Sequence, residues 1–314
     1  MTEGAFRRYA HAAGAARDIA LLDVAQDYVL EYMRRTGLFE ETLAFKGGTA
    51  LRKYVFGASG RFSVDLDFAL RTNDPADVDL AFGLLDRVEF AGVRIDLERR
   101  RGTAALLRLE TSLGPVVEPA AISVRPQGPW LPPRECAPQQ FPLLDRGLEF
   151  ERMPLPVLDP REMTAEKIAA FWRRRAARDL YDLDHLGQVL QAGFDGPAIA
   201  ELAALKIYVD VVIEGLGHAP DWLGRIFAVR LTDVRGADDL GRFRAVEVDV
   251  AALLARCAER YSALRDLTGE AGRLATHGTA RDRWRALDLA GEVAARLTRD
   301  SPELPPDMSP RPQV

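Results

Sequence analysis

Asp65 and Asp67 stand one residue apart in Ser63-Val64-Asp65-Leu66-Asp67-Phe68-Ala69-Leu70, where apolar side chains alternate with polar or small ones. That alternation predicts a half-buried strand over residues 63–70. Both carboxylates then project from one face, with Cα atoms roughly 6.5–7 Å apart. Carboxylates that close repel each other unless a cation lies between them. Mg²⁺ takes one or two carboxylates plus substrate phosphate oxygens, so the pair suits a metal–nucleotide site in which the cation neutralises a triphosphate. Upstream, Gly47-Gly48-Thr49 would let the backbone approach a phosphate, with a helix starting at Thr49 aiming N–H groups at it. Arg52, Lys53 and Arg61 would add positive charge. The Walker A spacing does not occur. Asp-x-Asp alone is commonly a solvated strand face, and Gly-Gly alone a turn. Their specificity lies in the order Gly-Gly-Thr, short helix, loop, Arg-x-Ser-x-Asp-x-Asp.

The surrounding pattern predicts the elements that position these residues. Residues 15–36 read as an amphipathic helix closed by Gly37, and residues 43–45 as a short apolar stretch. A short helix is expected from Thr49 to about Phe56, a loop at 57–60 and a helix over 76–88. Strands are expected at 93–99, at 105–111 and, after the turn Leu113-Gly114-Pro115, around 116–124. Nine prolines between 126 and 160 predict an irregular crossing between domains. Asp159-Pro160-Arg161-Glu162 then carries a helix start, with an N-cap, a proline in the first turn and an acid three residues after the cap. From there to about Leu297 the pattern is almost wholly helical, and the proline-rich residues 301–314 are expected to be a disordered tail.

Composition narrows the class. The chain has 314 residues, 47% hydrophobic and 28% charged, with a formal net charge of −5. These are ordinary values for a globular protein. An acidic chain is no general nucleic-acid binder, since such binding rests on neutralised phosphates, but a local basic patch could still hold RNA. No apolar run approaches a membrane span and the N-terminus lacks a signal-peptide core, so the expected location is cytoplasmic. Cys136 and Cys257 form no metal-ligand or disulfide pattern and are expected to be buried thiols. Lysines are few, at positions 46, 53, 167 and 206, which draws attention to each.

A second block, Val157-Leu158-Asp159-Pro160-Arg161-Glu162-Met163-Thr164-Ala165-Glu166-Lys167 and onward through Arg178-Asp179-Leu180-Tyr181-Asp182-Leu183, holds further candidates. Arg174 and Arg178 follow Lys167 at offsets that share its helix face if the helix continues. Asp179, Asp182 and His185 share a face at intervals of three; a metal cluster is conceivable there, salt bridges to nearby arginines are the plainer reading, and His185 reads as structural. Arg173, Arg174, Arg175 and Arg178 are either a solvated face or a phosphate track for a nucleic acid. Trp172 reads as core.

The two blocks together, FKGGTALRKYVFGASGRFSVDLDFAL and VLDPREMTAEKIAAFWRRRAARDLYDLDHL, resemble the AbiEii/AbiGii nucleotidyltransferase toxin family, which includes the MenT-type toxins of mycobacteria and belongs to type IV-like toxin–antitoxin systems. The resemblance spans residues 1 to about 190. It implies an α/β fold: a polymerase-β-like nucleotidyltransferase domain with a mixed sheet over 1–155, then a mostly α-helical domain over 156–300 that contributes Lys167 and Asp179 to the cleft. It implies an NTP substrate and Mg²⁺ on Asp65 and Asp67, with Asp65, Asp67, Lys167 and Asp179 catalytic. Gly47, Gly48, Thr49, Arg61, Ser63 and Arg178 would bind nucleotide, Lys167 contacting its phosphates and Asp179 orienting Arg178 or Lys167 or acting as a base. The acceptor would be RNA, the tRNA 3′ end, with loss of translation as the outcome, and a cognate antitoxin encoded nearby. The protein is read as a monomer. Related toxins are silenced at a hydroxyl near this motif, which makes Ser63 a candidate phosphorylation site.

One departure stands out. Related sequences carry an acid on a following strand, roughly Lys-x-Asp-Ile-Ser, where this chain has Ala121-Ile122-Ser123. Asp96 or Glu118 could substitute. The departure keeps two alternatives open: a nucleotidyltransferase acting on a small molecule or a protein hydroxyl, and a non-catalytic nucleotide-binding module.

Overall fold

A computed structural model of the chain describes residues 1–72, 74–118, 120–190, 194–236 and 248–300. The tail expected at 301–314 lies outside the described residues. Two compact units emerge, one ending at Leu158 and one beginning at Asp159.

The first unit is built on a mixed sheet. Its strands are β1 (Leu43–Lys46), β2 (Asp65–Leu70), β3 (Val88–Phe90), β4 (Val93–Arg101), β5 (Ala104–Thr111), β6 (Gly114–Pro115), β7 (Ala120–Arg125), β8 (Arg134–Cys136) and β9 (Leu155–Val157). Among the described residues they run β3-β4-β5-β7-β2-β1-β9-β8, with β6 added to β5. The alternation in β2 does what its pattern requires: Leu66, Phe68 and Leu70 are buried in the core while Asp65 and Asp67 stay half-buried on the other face. Each apolar side chain so buried contributes about 1.5–3 kcal/mol, and a one-residue slip would exchange the two faces.

Three expectations about elements need correction. The helix expected over 76–88 ends at Gly83, because Val88–Phe90 pairs with β4 instead. The short helix near the glycines opens at Gly47, not Thr49, as one α-turn, Gly47–Ala50, followed by a wider π-type turn, Leu51–Phe56. The proline-rich stretch is not merely a crossing: β9 joins β1 in parallel, Val157 opposite Phe45, and β8 pairs with β9. Leu155 and Val157 flank Pro156 and are buried, so apolar burial outweighs the ladder bond that Pro156 cannot donate. A helix over Glu3–Ala12 precedes the expected one and buries Phe6 and Tyr9.

The wide turn has a defined task. It carries Arg52 and Lys53 inward to the helix Arg17–Arg35, where Lys53 Nζ donates to Asp27 Oδ2 at 2.8 Å and to the Asp23 carbonyl at 2.9 Å. Arg52 bonds Asp23 at 3.2 Å and the Gly60 carbonyl at 2.8 Å, and its guanidinium lies 3.7 Å over the Phe62 ring. Tyr9 donates its hydroxyl to Asp23. Burial opposes charge on Asp23, yet Lys53 and Arg52 hold its carboxyl below the usual carboxylate range. For Asp27, burial outweighs Lys53 and raises the carboxyl. Arg52 and Lys53 therefore lock the turn rather than supply charge to a phosphate.

The second unit is helical, as expected. Asp159 caps α1 (Pro160–Arg174), its Oδ1 accepting from the Arg161 N–H at 2.9 Å. Arg175, in the left-handed region at φ 53, ends that helix, and α2 (Ala177–Val189) starts in a new direction. Arg235 fixes the elbow by exchanging backbone bonds with Arg175 and Ala177 at 2.7 and 2.8 Å. Further helices span Gly196–Tyr208, Val250–Arg260, Glu270–His277 and Arg283–Asp300.

Replacing Asp23 with asparagine strands the buried Arg52 charge. Urea unfolding of Asp23→Asn is expected to show a loss of about 3–5 kcal/mol; a loss under about 1 kcal/mol, the range of an exposed pair, would contradict the network's role.

Candidate active site

Strand pairing assembles the acidic centre. β1 runs antiparallel to β2, with Lys46 opposite Asp67. β7 runs parallel to β2, with Ala121 opposite Asp65 and Ser123 opposite Asp67. Paired residues share a sheet face, so Lys46, Asp67 and Ser123 form one row and Asp65 and Ala121 the next. Ser123 donates its hydroxyl to Asp67 Oδ1 at 2.7 Å.

The glycines are needed at this point, for a reason the sequence did not state. The chain leaves β1 through Gly47 at φ +80 and folds back over β2. A Cβ on Gly47 would lie 2.4 Å from Asp67 Oδ2 and 2.9 Å from the Asp67 Cβ. A Cβ on Gly48 would lie 2.8 Å from both Arg61 Nη2 and Ser63 Oγ. The backbone thus closes on Asp67, Arg61 and Ser63 themselves. Thr49 is fully buried and donates to the Asp65 carbonyl at 2.6 Å, so it fastens the turn to the first residue of β2. Arg61 is buried, with Nη1 donating to the Phe62 carbonyl at 3.1 Å, and Gln26 donates to the Ser63 carbonyl at 3.0 Å.

Ala121 occupies the place beside Asp65 where a third acid would stand, and β7 carries no carboxylate. Asp96 lies two strands beyond β7, on β4, paired with Arg94 at 2.9 Å. Glu118 precedes the first residue of β7. Among the described residues no group of three or more His, Cys, Asp or Glu is arranged to hold a metal. The donor set therefore does not fit a closed protein cage. It fits an ion that takes Asp65 and Asp67 and fills its shell with substrate phosphate and water, which is the habit of Mg²⁺.

In the second unit, Lys167 is nearly buried, with Nζ 2.7 Å from Asp182 Oδ2 and 3.6 Å from Asp179 Oδ1. Arg174 grips Asp179 with two nitrogens, at 2.7 and 2.5 Å. Asp182 is thus the nearer partner of Lys167, while Asp179 lies between Lys167 and Arg174. The break at Arg175 removes the continuous face expected for Lys167, Arg174 and Arg178. The basic run is not an open track either: Arg173 pairs with Asp210 at 3.3 Å, and Arg175 donates to the Ile226 carbonyl at 2.6 Å. His185 stacks on Tyr181 with ring centroids 4.2 Å apart, and Trp172 is buried and donates to the His218 carbonyl at 2.8 Å. Cys136 and Cys257 are free and buried, and burial pushes the Cys257 thiol up.

The sequence drew attention to Lys46 without giving it a role, and it gave Ser123 none. Lys46 is buried directly across from Asp67; its place one residue before the glycines, at the end of an apolar strand, was the available signal. Ser123 could be found only by knowing that β7 pairs in parallel with β2. Gly47→Ala is expected to lower nucleotide transfer at least ~100-fold by displacing Asp67. Ser123→Ala should lower it about tenfold, the range for removing a group that orients a ligand. Circular dichroism of both variants should match the parent; transfer by Gly47→Ala at parental rate would contradict the close approach.

MenT4, a nucleotidyltransferase toxin from Mycobacterium tuberculosis, is 33% identical, covering 94% of this chain and 99% of that one with a TM-score of 0.79. JHP933 from Helicobacter pylori is 16% identical over 77% of this chain and 92% of that one, with a TM-score of 0.41. No curated protein sequence matches significantly. The family model for the nucleotidyl transferase AbiEii toxin of type IV toxin–antitoxin systems matches residues 31–259. The chain belongs to the AbiEii nucleotidyltransferase toxin family, and it is a nucleotidyltransferase.

Proposed function

We propose that the protein transfers a nucleoside monophosphate from an NTP to the 3′ end of tRNA and so blocks translation. The observation that carries the chemistry is the pair of half-buried, same-face carboxylates under the Gly47–Gly48 turn. Held by Asp65 and Asp67, Mg²⁺ would supply charge neutralisation and polarisation of the phosphate. The acceptor oxygen forms a bond to the α-phosphorus as the bond to the pyrophosphate oxygen breaks, and the hydroxyl proton passes to solvent water. Ser123 fixes one oxygen of Asp67, and the turn bounds the other. Ala121 cannot take the proton, so the base role does not reside on β7.

Gly47, Gly48, Arg61 and Ser63 lie on or against the turn and are assigned to nucleotide binding, while Thr49 acts by holding the turn. Lys167 is assigned a phosphate contact and Asp179 the task of orienting it, both on the family pattern; Arg178 joins the nucleotide-binding set on the same ground. Phosphorylation at Ser63 would add about −2 charge beside the acidic pair and silence the enzyme. The toxin family implies a cognate antitoxin. No helix among the described residues is long and apolar enough to cross a membrane. The cytoplasm is assigned as the place of action on the family resemblance. The protein is taken to act as a monomer.

Incubation with each labelled NTP and total tRNA, total protein or no acceptor, followed by 3′-end sequencing, tests this. Nucleotide added to tRNA ends, abolished by EDTA and by Asp65→Asn or Asp67→Asn, is expected. Lys167→Ala should lose about 100-fold in rate. Label confined to protein or small molecules would overturn the tRNA acceptor, and undiminished growth arrest by Asp65→Ala with Asp67→Ala would overturn catalysis as the cause of toxicity.

A further inference from the structure

The rows through the acidic pair continue beyond β7. Ser123 pairs with Ala104 on β5, and Ala104 with Arg101 on β4. Ala121 pairs with Leu106, and Leu106 with Arg99. One row thus reads Lys46, Asp67, Ser123, Ala104, Arg101, and the next Asp65, Ala121, Leu106, Arg99. Since paired residues share a face, Arg99 and Arg101 emerge from the face that carries Asp65 and Asp67. Three strand spacings separate them from the carboxylates, about 14 Å.

That placement depends on an irregularity. Val93 and Ile95 are buried on the opposite face, and strict alternation would carry Leu97, Arg99 and Arg101 there too. The register shifts between Leu97 and Arg99, a bulge that turns the last three residues over. Arg100 consequently takes the opposite face, where it lies 4.7 Å over the Phe82 ring and pairs with Asp79. Arg94 and Arg108 are neutralised by Asp96 and Glu98. Arg99 and Arg101 are exposed, and among the described residues neither has a hydrogen-bond or ion-pair partner. Two uncompensated guanidiniums on the reactive face of a chain with net charge −5 are placed to meet phosphates.

We propose that the β4–β5 ribbon, through Arg99 and Arg101, binds the phosphate backbone of the acceptor RNA and leads its 3′ end along the sheet face to Asp65 and Asp67. This rests on the reading of an RNA acceptor. Arginine suits the task because its planar fork meets phosphate oxygens in pairs. A competing explanation is that the arginines only keep the outer edge of β4 from pairing with another molecule. Beyond Ile95 that edge has no strand partner among the described residues.

The test compares the full chain, Arg99→Ser with Arg101→Ser, and a control of equal charge, Arg281→Ser with Arg283→Ser, for binding of total tRNA across a salt series and for transfer kinetics. The ribbon variant should bind tRNA about tenfold more weakly. Its plot of log affinity against log salt should be shallower by about 1.4, the share of two phosphates on a single strand, with KM for the NTP unchanged and the control like the parent. Parental tRNA binding by the ribbon variant overturns the proposal, and self-association of that variant with tRNA binding intact assigns the arginines to edge protection instead. If the parent binds tRNA through the ribbon but adds no nucleotide, the ribbon stands as an RNA-binding surface, while the tRNA acceptor and the delivery of its 3′ end fall. If the parent does not bind tRNA, both fall.

Discussion

The first unit depends on one close approach, that of the Gly47–Gly48 backbone to the side chains of Asp67, Arg61 and Ser63. No Cβ fits at either glycine without displacing those groups, and Gly47 also needs a positive φ that other residues adopt only under strain. Around that contact the remaining parts act as fasteners. Thr49 ties the turn to Asp65, Ser123 ties Asp67 to β7, and the buried ions at Asp23, Asp27, Arg52 and Lys53 hold the following turn against a helix. The polar groups are placed by backbone geometry, and the apolar face of β2 keeps that geometry in register.

Much of this was legible in the sequence because it is local. Period-two alternation identified β2 and its half-buried acids, and the capping residues at Asp159 and Pro160 identified the start of the second unit's first helix. What stayed hidden depends on long-range pairing. Nothing in Ala121-Ile122-Ser123 says that the strand runs parallel beside Asp65, although the family resemblance pointed to Ala121. Lys53 looked like a phosphate ligand because its partner, Asp27, lies 26 residues earlier. The proline-rich stretch hid two strands because proline composition argues against pairing while apolar burial at Leu155 and Val157 argues for it more strongly.

The same distinction explains the arginines. In Glu98-Arg99-Arg100-Arg101 four charges in a row carry no face information, and a bulge, not composition, sorts them. In the second unit, the left-handed residue Arg175 had a comparable effect: it ended the helix that carries Lys167 before Arg178, and Arg174 is the partner of Asp179. In both places one irregular backbone position redistributes a basic cluster into groups held by carboxylates or rings and groups with other duties.

Asp65 and Asp67 are proposed to hold a divalent ion together with the nucleotide, without a third protein acid. Electron paramagnetic resonance of Mn²⁺, titrated into the protein with and without a non-hydrolysable NTP analogue, tests it most directly. Weak Mn²⁺ retention alone, strong retention with the analogue, and loss of that retention in both Asp65→Asn and Asp67→Asn are expected. Equal retention by the parent and both variants would contradict it.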